Sequence, residues 1–181
     1  EILKNLWWKL DKNLLKKDIF YSSITPLIEC VKSGTTTIID HHASPSYVGG
    51  SLDQIKNALE LLPVRASLSY EVSDRDGLEI TDAGIAENIR FITENVDNDM
   101  LVGLFGLHAS FTVSDETLNK CVDFVTENGC GFHVHTAEDK ADLEATKAKH
   151  GMGVIDRWHK NGVLGPKTVL AHCIFIDEKE M

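Results

Sequence analysis

Hydrophobic positions along the chain follow two alternating rhythms. Leu3, Leu6, Trp7 and Leu10 recur at helical spacing and predict a short amphipathic helix over residues 3–10. A longer helical pattern over 17–33 carries Ile19, Phe20, Ile24, Leu27, Ile28 and Val31. Pro26 lies inside it and is expected to kink or break it, and Gly34 to end it. The β-branched run at 35–40 predicts a strand that closes on His41-His42. Ser51-Leu52-Asp53-Gln54 reads as a capping box opening a helix to about residue 62. The unit then repeats. Strands are predicted over 64–70, 101–107, 131–135 and 168–171. Between them, Thr81 opens a helix to about 95, Ser114 caps one to 128 stopped by Gly129, and Asp139 caps one to about 150, followed by a short helix over 154–160.

Alternation of about five strands with helical crossovers predicts an α/β fold with a parallel sheet. Either an open doubly wound sheet or part of a (β/α)8 barrel satisfies that rhythm. Ionisable residues follow the strands throughout: Asp40, His41 and His42, then Glu71, His108, His135 with Glu138, and His172. A barrel gathers all its strand ends around one axis, whereas an open sheet concentrates its ligand groups at one switch point. Phosphate-cradling glycine motifs are missing as well. The reading is therefore a partial TIM (β/α)8 barrel, since eight strands need about 250 residues and this chain has 181.

Composition narrows the partners. The chain is 43% hydrophobic and 25% charged, with a net charge of −10. That charge makes a nucleic acid polymer a poor partner, though not a single uncharged ring. No apolar run is long enough to span a membrane. Cys30, Cys121, Cys130 and Cys173 form no CxxC pair and read as reduced thiols, which suggests a cytoplasmic protein. The chain opens Glu1-Ile2-Leu3-Lys4, without an initiator methionine or signal peptide, and reads as the middle of something longer.

The chemistry concentrates in Gly131-Phe132-His133-Val134-His135-Thr136-Ala137-Glu138. In a strand Phe132 and Val134 face one way while His133 and His135 face the other. A turn at Thr136 lets Glu138 swing back beside His135. A neutral imidazole is a good ligand for zinc or iron, and a neighbouring carboxylate can move a proton. Alone, the octet reads first as ordinary polar residues at the mouth of a sheet.

Four stretches, in order, resemble the amidohydrolase superfamily in its nucleobase-deaminase and chlorohydrolase branch, and most of all the aminohydrolases known as SsnA. They are Ser33-Gly34-Thr35-Thr36-Thr37 with Asp40, Gly106-Leu107-His108-Ala109 through Ser114-Asp115-Glu116, His133-Val134-His135-Thr136-Ala137-Glu138, and Leu170-Ala171-His172-Cys173. The resemblance implies that His135 binds one divalent metal, zinc before iron, and that Glu138 is the proton shuttle. It implies that His172 touches the attacking water or the substrate, and that His108 hydrogen-bonds the substrate ring. Trp8 and the Asp11 region resemble the first family helix. Residues 1–181 would be the central part of the barrel domain, strands two to six. The family's HxH pair on strand one and its aspartate on strand eight have no counterpart here, and His41-His42 cannot replace HxH because strand neighbours point to opposite faces.

The implied activity is hydrolytic deamination of a purine, pyrimidine or similar ring through a metal-activated water. The same apparatus can expel chloride or cleave a cyclic amide. A non-catalytic half-barrel interaction module is the rival from another class. A small ring substrate is the expected partner, with no nucleic acid polymer and no membrane. Open sheet edges would favour a homo-oligomer. His133 reads as a packed interior residue, Glu71 as a solvated strand end, and His150 and His159 as solvent-facing helix positions.

Overall fold

The computed structural model describes residues 2–181. Every strand pairing is parallel, and the paired strands are joined by helical crossovers, so the chain has an α/β fold. Among the described residues no helix is long and apolar enough to cross a membrane. The chain divides into two compact units.

The first unit comprises residues up to Tyr70 and Asp82–Gly103. After a π-turn over Leu3–Trp7 come α1 (Trp8–Asp11), α2 (Lys16–Lys32), β1 (Thr37–His42), α3 (Ser51–Leu61) and β2 (Arg65–Tyr70). Helix α4 (Leu78–Glu94) enters from the other unit and leads to β3 (Leu101–Gly103). The sheet order is β1-β2-β3, with Thr37↔Arg65 through His42↔Tyr70 in register. Ile19, Leu27, Leu52, Ile55, Ala58, Leu68 and Phe91 are buried in this unit. Helix α2 runs through Pro26 without a break, and Pro26 is exposed. Proline costs a helix one N–H and a carbonyl clash, and the exposed side gives the distortion room.

The capping box expected at Ser51 is not formed. Ser51 is the first helical residue, and the cap is Gly50, in the left-handed region at φ +79°. The orphan N–H groups of Gly50 and Leu52 donate instead to Glu87 Oε2 and Oε1 at 3.0 and 3.1 Å. Glu87 is buried and also accepts from Arg90 Nε and Nη2, both at 2.9 Å. A distant carboxylate thus does the work of a local cap. Glu87→Ala is expected to lower stability by about 2 kcal/mol, read by urea denaturation.

The second unit comprises Glu71–Thr81 and Leu104–Met181. It holds β4 (Phe105–Leu107), α5 (Asp115–Asn128), β5 (Phe132–Thr136), α6 (Lys140–His150), α7 (Val154–Lys160) and β6 (Val169–His172), in sheet order β4-β5-β6. Val72 adds a rung beside β4, donating to Gly106 O at 3.1 Å and accepting from His108 N–H at 2.9 Å. Phe105, Leu107, Val113, Leu118, Phe132, Val134 and Trp158 form the core. The expected caps are present here: Ser114 Oγ accepts from Thr117 N–H, Asp139 from Ala141 N–H, and Gly129 closes α5 at φ +61°. Helix α4 begins at Leu78 rather than Thr81, and Thr81 is buried, donating to Ser73 O at 3.0 Å.

The single strand expected over 101–107 is two strands, β3 and β4, interrupted at Leu104. The cause lies in Tyr70. Its N–H donates to Asn88 Oδ1 at 2.9 Å and its carbonyl accepts from Asn88 Nδ2 at 2.8 Å. Those are the groups that would carry the β2–β3 ladder past Leu68↔Gly103, and the ladder stops there. Two three-stranded sheets replace one five-stranded run.

Candidate functional site

Three parallel strands end on the same edge of the second unit, so their C-terminal residues share one neighbourhood. His108 follows β4, His135 is the penultimate residue of β5, and His172 ends β6. The His108 and His135 rings lie 5.6 Å apart edge-on, and His135 and His172 stack at 5.5 Å with 24° between planes. Pairing of Thr136 with His172 across β5–β6 sets this height. The expected convergence of the three imidazoles is what the fold produces.

Their hydrogen bonds fix their tautomers. His135 Nδ1 lies 2.9 Å from His108 O, and a carbonyl only accepts, so Nδ1 carries the hydrogen. Nε2 then bears the lone pair, which is the state a metal-binding imidazole requires. Thr112 Oγ1 donates its hydrogen to Ala109 O and therefore accepts from His108 Nδ1, 2.7 Å away. His108 accordingly also presents a basic Nε2. Phe111 lies edge-on to its ring at 5.7 Å, and the side chain is buried.

Glu138 lies just past the strand, with Oε1 3.7 Å from His172 Nε2. Both side chains are solvent-accessible, the carboxylate 54% and the imidazole 38%. Two turns bring them together. Ala137, His172 and Cys173 all adopt positive φ, at +47°, +74° and +53°. Non-glycine residues in that region cost about 1–2 kcal/mol each and persist where surrounding contacts hold them. Here the turns hold each other: Cys173 N–H donates to Thr136 O at 2.9 Å and Phe175 N–H to Ala137 O at 3.0 Å.

Glu71 belongs to the same unit and departs from expectation. Its side chain is only 9% exposed, not solvated, with Oε1 paired to Arg75 and Oε2 4.0 Å from His135 Nδ1. This carboxylate reinforces the Nδ1–H tautomer of His135. A cation–carboxylate–imidazole–imidazole series of this kind can ligate a cation, orient a water and move a proton.

The sequence profile described as the Amidohydrolase family matches residues 14–181, nearly the whole chain. The chain belongs to the amidohydrolase family. It is 27% identical over 183 residues to the 5'-deoxyadenosine deaminase of Methanosarcina acetivorans, an alignment covering 100% of this chain and 41% of that protein. This amidohydrolase chain thus spans about two fifths of the length of the curated relatives it matches. Two solved structures share its fold. An adenosine deaminase from Xanthomonas campestris with bound zinc superimposes with a TM-score of 0.87 at 16% identity, over 99% of this chain and 40% of that one. A guanine deaminase from C. acetobutylicum with guanine bound gives 0.85 at 15% identity, over 98% and 44%.

Other histidines of this amidohydrolase chain are placed differently. His133 is buried one step deeper along β5, as a packed residue would be. In the first unit, His41 Nδ1 lies 3.3 Å from Ser69 Oγ, while His42 Nε2 lies 2.9 Å from Ser44 Oγ and packs edge-on to Tyr70. Trp8 and Asp11 are half-buried on α1, also in the first unit. His159 is exposed as expected, but His150 is not: its side chain is 11% exposed and lies 3.7 Å from Asp115 Oδ1. Burial, foremost, and the Arg157 charge push the His150 pKa down. Sequence reading missed Thr112, which orients His108, and Asp142, which accepts from Ala137 N–H. The four-residue spacing from His108 to Thr112 was the only local sign of the first.

Proposed function

We propose that this chain is the central part of a (β/α)8 barrel domain in a metal-dependent amidohydrolase that deaminates a purine, pyrimidine or similar ring by hydrolysis. The observation that carries the proposal is the meeting of His108, His135, His172 and Glu138 at one sheet edge. The relatives named as deaminases support the choice of reaction. His135, with Nδ1 turned to a carbonyl, fits one ligand position of a divalent metal, zinc before iron. When bound, that metal supplies a Lewis acid that lowers the pKa of a water to about 7.

The chain's own residues do the rest. Glu138 accepts one proton from the attacking water and gives it to a ring nitrogen, then takes the second from the added hydroxyl and gives it to the departing amine as the carbonyl forms. His172, 3.7 Å from that carboxylate, orients the water and stabilises developing charge. His108, its Nδ1 committed to Thr112, offers Nε2 to a donor on the substrate ring. Water adds at the amine-bearing carbon, the C–N bond breaks, and ammonia leaves. The test is ammonia release by the metal-loaded enzyme from adenine nucleosides and guanine. Release from either class supports deamination. Chloride release from a chlorotriazine, with no ammonia, would overturn it.

The 181-residue chain alone is expected neither to hydrolyse substrate nor to hold zinc tightly. Catalytic zinc needs about three protein ligands, and the roles implied by the family resemblance leave one here, His135, with His172 at best a second. Strands β1 and β6 each have one neighbour in their sheet among the described residues, and Ile39 on β1 is 52% exposed. Such edges favour pairing with a second copy. Calorimetric zinc titration should give a Kd weaker than about 1 μM, and sedimentation at micromolar concentration a species larger than the monomer. A monodisperse monomer with tight zinc would contradict both halves.

A further inference from the structure

Asp142 is a buried carboxylate in the first turn of α6, 4% exposed. Buried acids at helix starts usually serve as caps, but this helix is already capped by Asp139, which accepts from Ala141 N–H at 2.8 Å. Asp142 turns instead toward the end of β5, where its Oδ2 accepts from Ala137 N–H at 3.0 Å. Ala137 is the left-handed residue immediately before Glu138. Its carbonyl is held from the other side by Phe175 N–H. Both backbone polar groups of this strained residue are therefore fixed, one by α6 and one by the segment after His172.

We propose that Asp142 is a positioning residue for Glu138: its carboxylate holds the left-handed Ala137 turn that sets Glu138 beside His172. The proposal rests on reading Glu138 as the acid/base, since otherwise the turn has nothing catalytic to aim. The physical argument is one of balance. Alanine at φ +47° relaxes toward negative φ unless something opposes it. A charge-assisted hydrogen bond in a dry environment is strong enough to oppose it. A relaxed Ala137 would rotate the Glu138 Cα–Cβ direction away from His172, while His135, two residues back and still in the β5 ladder, would stay in place. Burial pushes the Asp142 carboxyl up, and the N–H groups of Ala137 and Phe111 work against that push.

Two readouts test this on D142A and D142N. The first is amide hydrogen exchange at Ala137, with Val134 in β5 as the internal control. The second is steady-state deamination by the metal-loaded full-length enzyme. D142A is expected to speed Ala137 exchange by about tenfold or more, leave Val134 protected, and lower kcat by a similar factor with KM within about twofold. D142N keeps a weaker acceptor and should fall between, near threefold in both. Loss of Val134 protection would show D142A to be misfolded, and D142N then decides by itself. Unchanged Ala137 exchange overturns the proposal, as does faster exchange with kcat intact. A wild-type enzyme that releases no ammonia counts against the deaminase reading only. Ala137 exchange would then still decide whether Asp142 holds the turn.

Discussion

In the full-length enzyme, Glu138→Gln is expected to lower kcat by about 10²–10⁴-fold while leaving metal content and KM near their wild-type values. Gln is nearly isosteric with Glu, so the Ala137 turn, the contact with His172 and the shape of the site persist. What goes is the basic oxygen. The side-chain amide can donate to or accept from a water but cannot take its proton at neutral pH. Glu138 is the exposed carboxylate of the group, 3.7 Å from His172, so it can reach water on one side and substrate on the other. Glu71 cannot replace it, because Arg75 already holds one of its oxygens. Metal analysis beside ammonia-release kinetics checks the expectation. His135→Ala gives the contrasting pattern, with metal and turnover lost together. Near-normal kcat in E138Q would remove Glu138 from the mechanism.

Arg157→Met is expected to destabilise the second unit by about 3 kcal/mol. The guanidinium is 1% exposed and donates to Ser110 O, to Ser110 Oγ at 3.0 Å, to Val113 O at 2.9 Å and to Asp115 Oδ1 at 2.6 Å. It therefore staples α7 to the loop between β4 and α5, which carries Thr112 and sits directly after His108. Removing it leaves two buried carbonyls without their donor, and each such group costs about 1–3 kcal/mol. Arg157→Lys should recover little, since an ammonium cannot reproduce the planar fork. Thermal unfolding checks both variants; a lysine variant as stable as wild type would mean that charge alone matters. The pair also sets an acid limit. The Arg157 hydrogen bond, foremost, pulls the Asp115 pKa below its ordinary 3.8. A depressed carboxylate contributes stability above about pH 3.8 that is lost as pH falls through the folded-state pKa. In Arg157→Met that acid-side loss should be smaller.

What was legible in the sequence was local. The alternation along β5, the Ser114 and Asp139 caps, the Gly129 stop and the placing of His108, His135 and His172 after successive strands each depend on a few neighbouring residues. A parallel sheet then brings the strand ends together without further instruction. What was not legible depends on partners far away in the chain. Asn88 interrupts the ladder at Tyr70 from 18 positions on. Glu87 caps α3 from 35 positions on, displacing a capping box that Ser51 seemed to promise by its type alone. Glu71 looks like a solvated strand end until Arg75 and His135 close over it, and His150 looks exposed until Asp115 meets it. Asp142 carries the signature of any first-turn acid, and only the turn it faces distinguishes it.

Anomalous scattering at the zinc edge from crystals of the zinc-loaded full-length enzyme tests the central claim most directly. The account predicts a peak about 2.1 Å from His135 Nε2, with Nδ1 still directed at His108 O and Glu138 near the metal's water but not ligating. A zinc peak with His135 outside its coordination sphere, or bound through Nδ1, would contradict it.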